Sequence, residues 1–104
     1  GERSADIRAR VNAARRKQLE RYRADGIFSN SQLTAPMLEK YCPLDAAASQ
    51  LLQTAFDKLG MSARGYSRIL KVARTIADLQ DSEQITSDHL MQAIAFRSFD
   101  REQY

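Results

Sequence analysis

The sequence contains no tryptophan, only one cysteine, two prolines and four glycines. The single cysteine, Cys42, cannot form an internal disulfide, and no basic-then-apolar leader opens the chain, so we expect a reducing, cytoplasmic setting. No apolar run approaches the ~20 residues that span a bilayer, and we expect no membrane partner. Because 43% of the residues are hydrophobic, the composition excludes a disordered chain. A length of 104 residues suffices for one core.

Apolar residues recur with the helical period in five segments, and no segment alternates as a strand would. The spacing predicts an all-α, compact bundle of about five helices, formed by residues 1–104 as a single domain. The first predicted helix covers residues 5–24 and the second runs from residue 34 or 35 to residue 41. The third lies between its cap Asp45 and Gly60, the fourth runs from its cap Ser62 to Leu79, and the fifth begins at Thr86 or Ser87. Thr34 is the predicted cap of the second helix.

The same periods predict which side chains form the core. The fourth helix carries the widest apolar face, so it should be the centre of the bundle. The first helix has only a narrow apolar stripe, and the loop at residues 25–33 should be anchored by its own apolar residues. The predicted inward-facing residues include Ile7, Val11, Ala14, Leu19 and Tyr22 of the first helix, Ile27, Phe28 and Leu33 of the loop, Leu51, Leu52, Ala55, Phe56 and Leu59 of the third helix, and Leu90, Ala93, Ile94 and Phe96 of the fifth helix.

Positive charge is concentrated near the start of the chain. The whole sequence has a formal charge of +3, whereas its first 25 residues alone hold eight basic and four acidic side chains. A spacing of four residues would pair Arg16 with Glu20. We interpret the first helix as a solvated, interface-forming helix, and the functional alternative is non-specific contact with nucleic-acid phosphates through Arg8, Arg15 and Arg16.

A capped helix with an arginine in its first turn begins just after Gly60. Ser62 can cap the free N–H groups of this helix, and Arg64 lies beside them. A planar guanidinium and the positive end of the helix dipole together favour a phosphate at this position. Arg68 and Lys71 follow four and seven residues later on about the same face, where a solvated or interface role is the simpler interpretation.

These and other segments resemble the C-terminal domain of the magnesium-chelatase-like AAA+ ATPases, and most closely their ComM/YifB competence-protein branch. The resemblance covers nearly the whole chain. It is carried by residues 8–15, 30–33, 41–45, 62–79 and 89–97, and most specifically by the run Ser62-Ala63-Arg64.

The resemblance implies a function as well as a fold. It implies a C-terminal helical lid in which Arg64 is the sensor-2 arginine that touches the nucleotide phosphates, with Ser62 as the helix cap and Arg68 as a weaker candidate. The implied cofactor is ATP, with Mg²⁺ in the parent protein, and we expect the fragment alone to bind none tightly. The implied partners are the AAA+ core domain of the same chain, neighbouring subunits of a ring, and DNA through a parent that drives branch migration in transformation and recombination. The start at Gly1 rather than Met favours a processed product or an excised domain over a complete protein.

Other motifs predict less. Residues 60–67 approach the phosphate-binding loop G-x-x-x-x-G-K-[ST], but Tyr66 replaces its lysine and no strand precedes it, so we expect no catalytic residue and no ATP hydrolysis by the fragment itself. His89 has no second ligand at metal-binding spacing and is predicted to be a surface or half-buried residue, whereas Cys42 is predicted to be a small buried hydrophobe. The alternative function is a stand-alone helix-turn-helix DNA-binding module over residues 51–71. Phe56 argues against it, because that motif usually has a small residue there.

Overall fold

Five α-helices make up the computed structural model, which describes residues 3–103 and the side chains of residues 3–96. The helices are α1 (Ser4–Arg21), α2 (Ala35–Tyr41), α3 (Ala46–Leu59), α4 (Ala63–Leu79) and α5 (Ser87–Gln103); two 3-10 turns, Arg23–Asp25 and Asn30–Gln32, lie between α1 and α2. The described part of the chain contains no strand, and the predicted all-α bundle is confirmed. None of its helices is long and apolar enough to cross a membrane.

Helix α4 is the centre of the bundle, as its wide apolar face predicted. It packs against α1, α2, α5 and the Asn30–Gln32 turn, and α5 also packs against α3. Burying one large apolar side chain stabilises a fold by roughly 1.5–3 kcal/mol, so the shared core holds the helices together. The larger buried apolar residues of this core are Tyr22, Leu33, Leu38, Leu52, Met61, Ile69, Leu70, Ile85 and Leu90.

Two of the three predicted side-chain caps are confirmed. Asp45 accepts a hydrogen bond from the backbone N–H of Ala48 at 2.7 Å and begins α3. Ser62 Oγ accepts one from the N–H of Gly65 at 3.1 Å and begins α4. Thr34 is in the cap position of α2, but its side chain makes no capping hydrogen bond, so that prediction is wrong.

Helix α1 departs from its prediction in length and in its buried line. It ends at Arg21 rather than near residue 24. The buried line runs through Ala14, Gln18 and Tyr22, whereas Leu19 is 50% exposed. These three residues are four apart and share one face, and Gln18 is held there because its Oε1 accepts a hydrogen bond from the N–H of Asn30 at 3.0 Å. Leu19, one residue further, points to solvent.

Four other predicted core residues lie at the surface, and one of them is Leu59 of α3, which is 38% exposed. Phe28 is 67% exposed, Phe96 is 58% exposed and Ile7 is 44% exposed. The loop is anchored instead by Leu33 and by polar contacts, among them the N–H of Phe28 donating to Gln32 Oε1 at 2.8 Å. Phe96 borders an open groove beside α4, where no described side chain covers it.

Candidate nucleotide-binding site

The turn from α3 to α4 positions the start of α4. Gly60 adopts the left-handed conformation, with a φ of 61°, and its N–H donates to the carbonyl of Phe56. Glycine has no Cβ to clash in this conformation, so it ends α3 at little cost. Ser62 then has an extended backbone and caps α4. The local signals in the sequence therefore predicted this turn correctly.

Arg64 lies in the first turn of α4 with its side chain exposed. Within residues 3–96 it forms no ion pair. The N–H groups of Ala63 and Arg64 also have no acceptor among the described residues, because Ser62 satisfies only the next two donors, Gly65 and Tyr66. An uncapped pair of donors, the helix dipole and a free guanidinium can together hold an anion such as phosphate.

The other basic residues of α4 divide into two groups. Arg68 is exposed, one turn after Arg64. Lys71 is half-buried and donates to the carbonyl of Ser31 at 3.4 Å. Arg74 is buried and donates to the carbonyls of Ser82 and Glu83 at 2.7 and 2.8 Å. Arg64 and Arg68 are therefore the arginines of α4 that face outward, whereas Arg74 has a structural role.

An open groove of about 600 Å³ flanks the first turn of α4. Ala63 and Ser67, on either side of Arg64 in sequence, line it, as do the rings of Phe56 and Tyr66, which pack edge to face with centroids 5.8 Å apart. Cys42 lies at its inner wall and is 4% exposed, and burial raises the pKa of its thiol to about 11. Cys42 is therefore the buried, protonated hydrophobe that its sequence context predicted.

The sequence did not reveal a buried polar cluster centred on Asp78. This carboxylate accepts hydrogen bonds from Arg21 at 2.6 and 3.1 Å and from Asn30 at 3.0 Å, and it pairs with Arg74 at 3.1 Å. Asn30 also accepts a hydrogen bond from the hydroxyl of Tyr22. Burial raises the pKa of Asp78, but the hydrogen bonds from Arg21 and Asn30 and the charge of Arg74 outweigh it and hold that pKa below its ordinary value. The one feature of the sequence that could have indicated this cluster is the four-residue spacing of Arg74 and Asp78 inside an otherwise apolar helix face.

His89 is also buried, at 4% exposure, which corrects the prediction of a surface or half-buried residue. Its Nδ1 accepts a hydrogen bond from the N–H of Thr86 at 2.9 Å, and its Nε2 lies 3.1 Å from Gln80 Oε1. The ring is accommodated because both nitrogens have partners. Within the described residues, no three His, Cys, Asp or Glu side chains converge as metal ligands.

The candidate nucleic-acid residues Arg8, Arg15 and Arg16 are all exposed on α1. The pair expected between Arg16 and Glu20 does not form; Glu20 instead binds Arg23 at 2.7 Å. Phe56 contacts the ring of Tyr66 at the position where a helix-turn-helix motif usually has a small residue, which argues against that alternative.

The structure is thus a bundle of five helices, and its central helix starts with a capped turn that carries an arginine. Residues 1–97 match the family described as "Magnesium chelatase, subunit ChlI C-terminal". The chain belongs to this family of magnesium chelatase C-terminal domains, as the sequence resemblance predicted.

Individual relatives refine this assignment. The chain is 40% identical to the uncharacterised protein YifB of Escherichia coli and 44% identical to the competence protein ComM of Haemophilus influenzae, in both cases over 97% of its length. It is 34% identical, over 93% of its length, to an uncharacterised protein of Mycobacterium tuberculosis. Each match covers 19% of the relative, so the chain spans about a fifth of the length of the curated relatives it matches.

Proposed function

We propose that this domain is the lid of a larger AAA+ ATPase and that Arg64 is its sensor-2 arginine, which contacts the nucleotide phosphates. The observation that carries the proposal is the first turn of α4, where an exposed, unpaired Arg64 stands beside two N–H groups that have no acceptor in the described part of the chain. This arrangement suits a phosphate oxygen, since a guanidinium donates through a planar fork.

The residues present would supply only part of an ATP site. Arg64 and the start of α4 would bind phosphate oxygens, and Ser62 would fix the turn that presents them. Bound ATP would supply the phosphoanhydride bond, and the Mg²⁺ bound with it would neutralise the phosphate charge. The acidic and catalytic groups for hydrolysis would belong to the remainder of the parent protein. Arg64 would respond to the γ-phosphate and draw α4, and the bundle packed on it, toward the nucleotide.

The whole parent protein is also part of the proposal. The chain covers 19% of the length of its relatives, which leaves ample sequence for an ATPase core to which this bundle would be joined. A cytoplasmic ring of such subunits is the assembly we propose. The likeness to a protein named for competence favours a parent that works on DNA in transformation or recombination, rather than one that inserts magnesium into a porphyrin.

The test is substitution of Arg64 in the longer ATPase. Arg64→Ala should weaken nucleotide binding or slow hydrolysis about 10- to 150-fold, since a hydrogen bond to a charged group is worth about 1.5–3 kcal/mol. Arg64→Lys keeps the charge but loses the planar fork, so its effect should be intermediate. Lys58→Ala, on an exposed position near the end of α3, is the matched control and should change neither quantity.

Unchanged ATPase rate and nucleotide affinity in Arg64→Ala would refute the lid assignment of this residue. Equal losses in Arg64→Ala and Lys58→Ala would refute it as well, because the effect would then follow net charge rather than position.

A further inference from the structure

The solvent face of α1 carries positive charge that the fold does not neutralise. Several cations of α1 and its C-terminal turn have carboxylate partners, among them Lys17 with Asp81, Arg21 with Asp78, and Arg23 with Glu20. By contrast, Arg8, Arg15 and Arg16 are exposed and form no ion pair within residues 3–96. Asp81, Asp78 and Glu20 are therefore used by the inner and C-terminal cations of α1, whereas its outer arginines remain available to a ligand.

The centre of this face is the pair Arg8 and Arg15. They are seven residues apart, which places them within about 20° of one another around the helix and about 10 Å apart along its axis. Neither has an acidic residue three or four positions away, and the exposed Asn12 lies between them. No intrahelical ion pair can therefore compete for either guanidinium.

Arg16 lies at the margin of the same face. The carboxylate four residues on, Glu20, is held by Arg23 at 2.7 Å. Arg16 also lines a polar groove with two other cations, Lys17 and Arg21, and with two carboxylates, Glu20 and Glu83, so acidic groups lie close to it. We therefore expect a smaller contribution from Arg16.

The chemistry of the face favours phosphates over a protein surface. A stable protein interface buries about 800 Å² per partner and has an apolar or aromatic centre. Leu19, which is 50% exposed, lies among the arginines, and Ile7, which is 44% exposed, flanks them; α1 exposes no other large apolar side chain. Arginine and asparagine side chains, in contrast, are common donors to phosphate oxygens in nucleic-acid complexes.

We propose that the solvent face of α1, centred on Arg8 and Arg15 with Arg16 at its margin, binds the sugar-phosphate backbone of nucleic acid without reading its sequence. This site is separate from Arg64 and does not depend on the proposed nucleotide contact. Three phosphate contacts give a salt slope of about −2.7 for duplex DNA, so affinity should fall about 40-fold between roughly 50 and 200 mM salt.

The test compares two double variants of the 104-residue chain that remove equal charge. Arg8→Gln with Arg15→Gln changes the proposed face, whereas Lys40→Gln with Lys58→Gln changes exposed residues of α2 and α3. Binding to a labelled duplex of arbitrary sequence is measured by fluorescence anisotropy over a range of salt concentrations. The α1 variant should lose about 1.8 from the magnitude of the slope, while the control should lose less than about 0.3. Glutamine is a good helix former, and circular dichroism verifies that both variants keep the helical fold.

Three results would overturn the proposal. The first is no binding by the unaltered chain at low salt, and the second is an equal loss of slope in both double variants, which would indicate a general effect of charge. The third is displacement of the duplex by polyglutamate as effectively as by unlabelled DNA of equal charge, which would indicate an acidic protein surface as the partner. The lid proposal is judged separately, because Arg64→Ala should leave duplex binding by the α1 face intact.

Discussion

Asparagine in place of Asp78 is expected to cost the domain a large part of its stability. The Asp78 side chain is completely buried and is bound by Arg21, Arg74 and Asn30. The Arg74 side chain is only 3% exposed, and its Nε has no hydrogen-bond partner in the described structure. Asp78→Asn removes the negative charge but keeps the size of the side chain, so it leaves the guanidinium of Arg74 buried without a counter-charge.

The magnitude follows from these contacts. Removing one partner of a buried ion pair costs about 3–5 kcal/mol. Arg74 retains the carbonyls of Ser82 and Glu83 as acceptors, and the Arg21 side chain is 20% exposed, so water can reach it. We therefore expect the lower end, a loss of about 3 kcal/mol, which for a domain of this size lowers the melting temperature by about 12–24 °C.

Urea denaturation followed by far-UV circular dichroism measures this loss. Asp57→Asn, on the exposed face of α3, is the matched control and should remain within about 0.5 kcal/mol of the unaltered chain. A loss below about 1 kcal/mol in Asp78→Asn, with an unchanged dependence on urea, would refute the idea that the cluster is tightly coupled.

Asp78→Asn should also change how the stability of the domain depends on pH. Because the folded-state pKa of Asp78 lies below its ordinary value, its carboxylate stabilises the fold fully above the unfolded-state pKa of about 4. That contribution is lost as the pH falls through the lower, folded-state pKa. The stability difference between the unaltered chain and Asp78→Asn should therefore be constant near neutrality and shrink in acid. A difference that stays constant down to about pH 2 would contradict this reasoning.

Two smaller predictions concern the candidate nucleotide site and its groove. Gly65→Ala should stabilise the domain by roughly 0.5–1 kcal/mol in urea denaturation, because alanine has the higher helix propensity. The new Cβ would lie 3.7 Å from Ser62 Oγ and 3.8 Å from Met61 Cβ, which is ordinary van der Waals contact. Destabilisation would show that α4 begins differently. Cys42 should react with a thiol reagent at pH 8 only at the rate of unfolding, because Cys42 is 4% exposed and the pKa of its thiol is about 11. Rapid reaction in the native state would contradict its burial.

Structural features that depend only on neighbouring residues could be predicted from the sequence. Asp45 and Ser62 cap their helices, and Gly60 ends α3 with a positive φ, because each of these roles depends on backbone groups only a few residues away. The placement of Arg64 in a first turn follows from the same local logic. Thr34 shows the limit of such local predictions, because it occupies the cap position of α2 but its hydroxyl makes no capping hydrogen bond.

Features that depend on contacts between distant segments could not be predicted. The period of α1 does not distinguish Gln18 from Leu19 as the buried residue; the choice depends on Asn30, twelve residues later, whose N–H donates to Gln18. The burial of His89 likewise depends on the position of Gln80. The Asp78 cluster joins α1, the Asn30–Gln32 turn and α4, so no single segment of the sequence reveals it.

That cluster also bears on how the two proposed surfaces relate. Arg64 begins α4, whereas Arg8 and Arg15 lie on α1, and α1 is joined to α4 through the pair of Arg21 with Asp78. A shift of α4 relative to α1 would have to separate this partly buried ion pair and its two hydrogen bonds before either surface moved alone. We therefore expect a displacement imposed at the first turn of α4 to move α1 with it, so that the face of α1 changes its position rather than its shape.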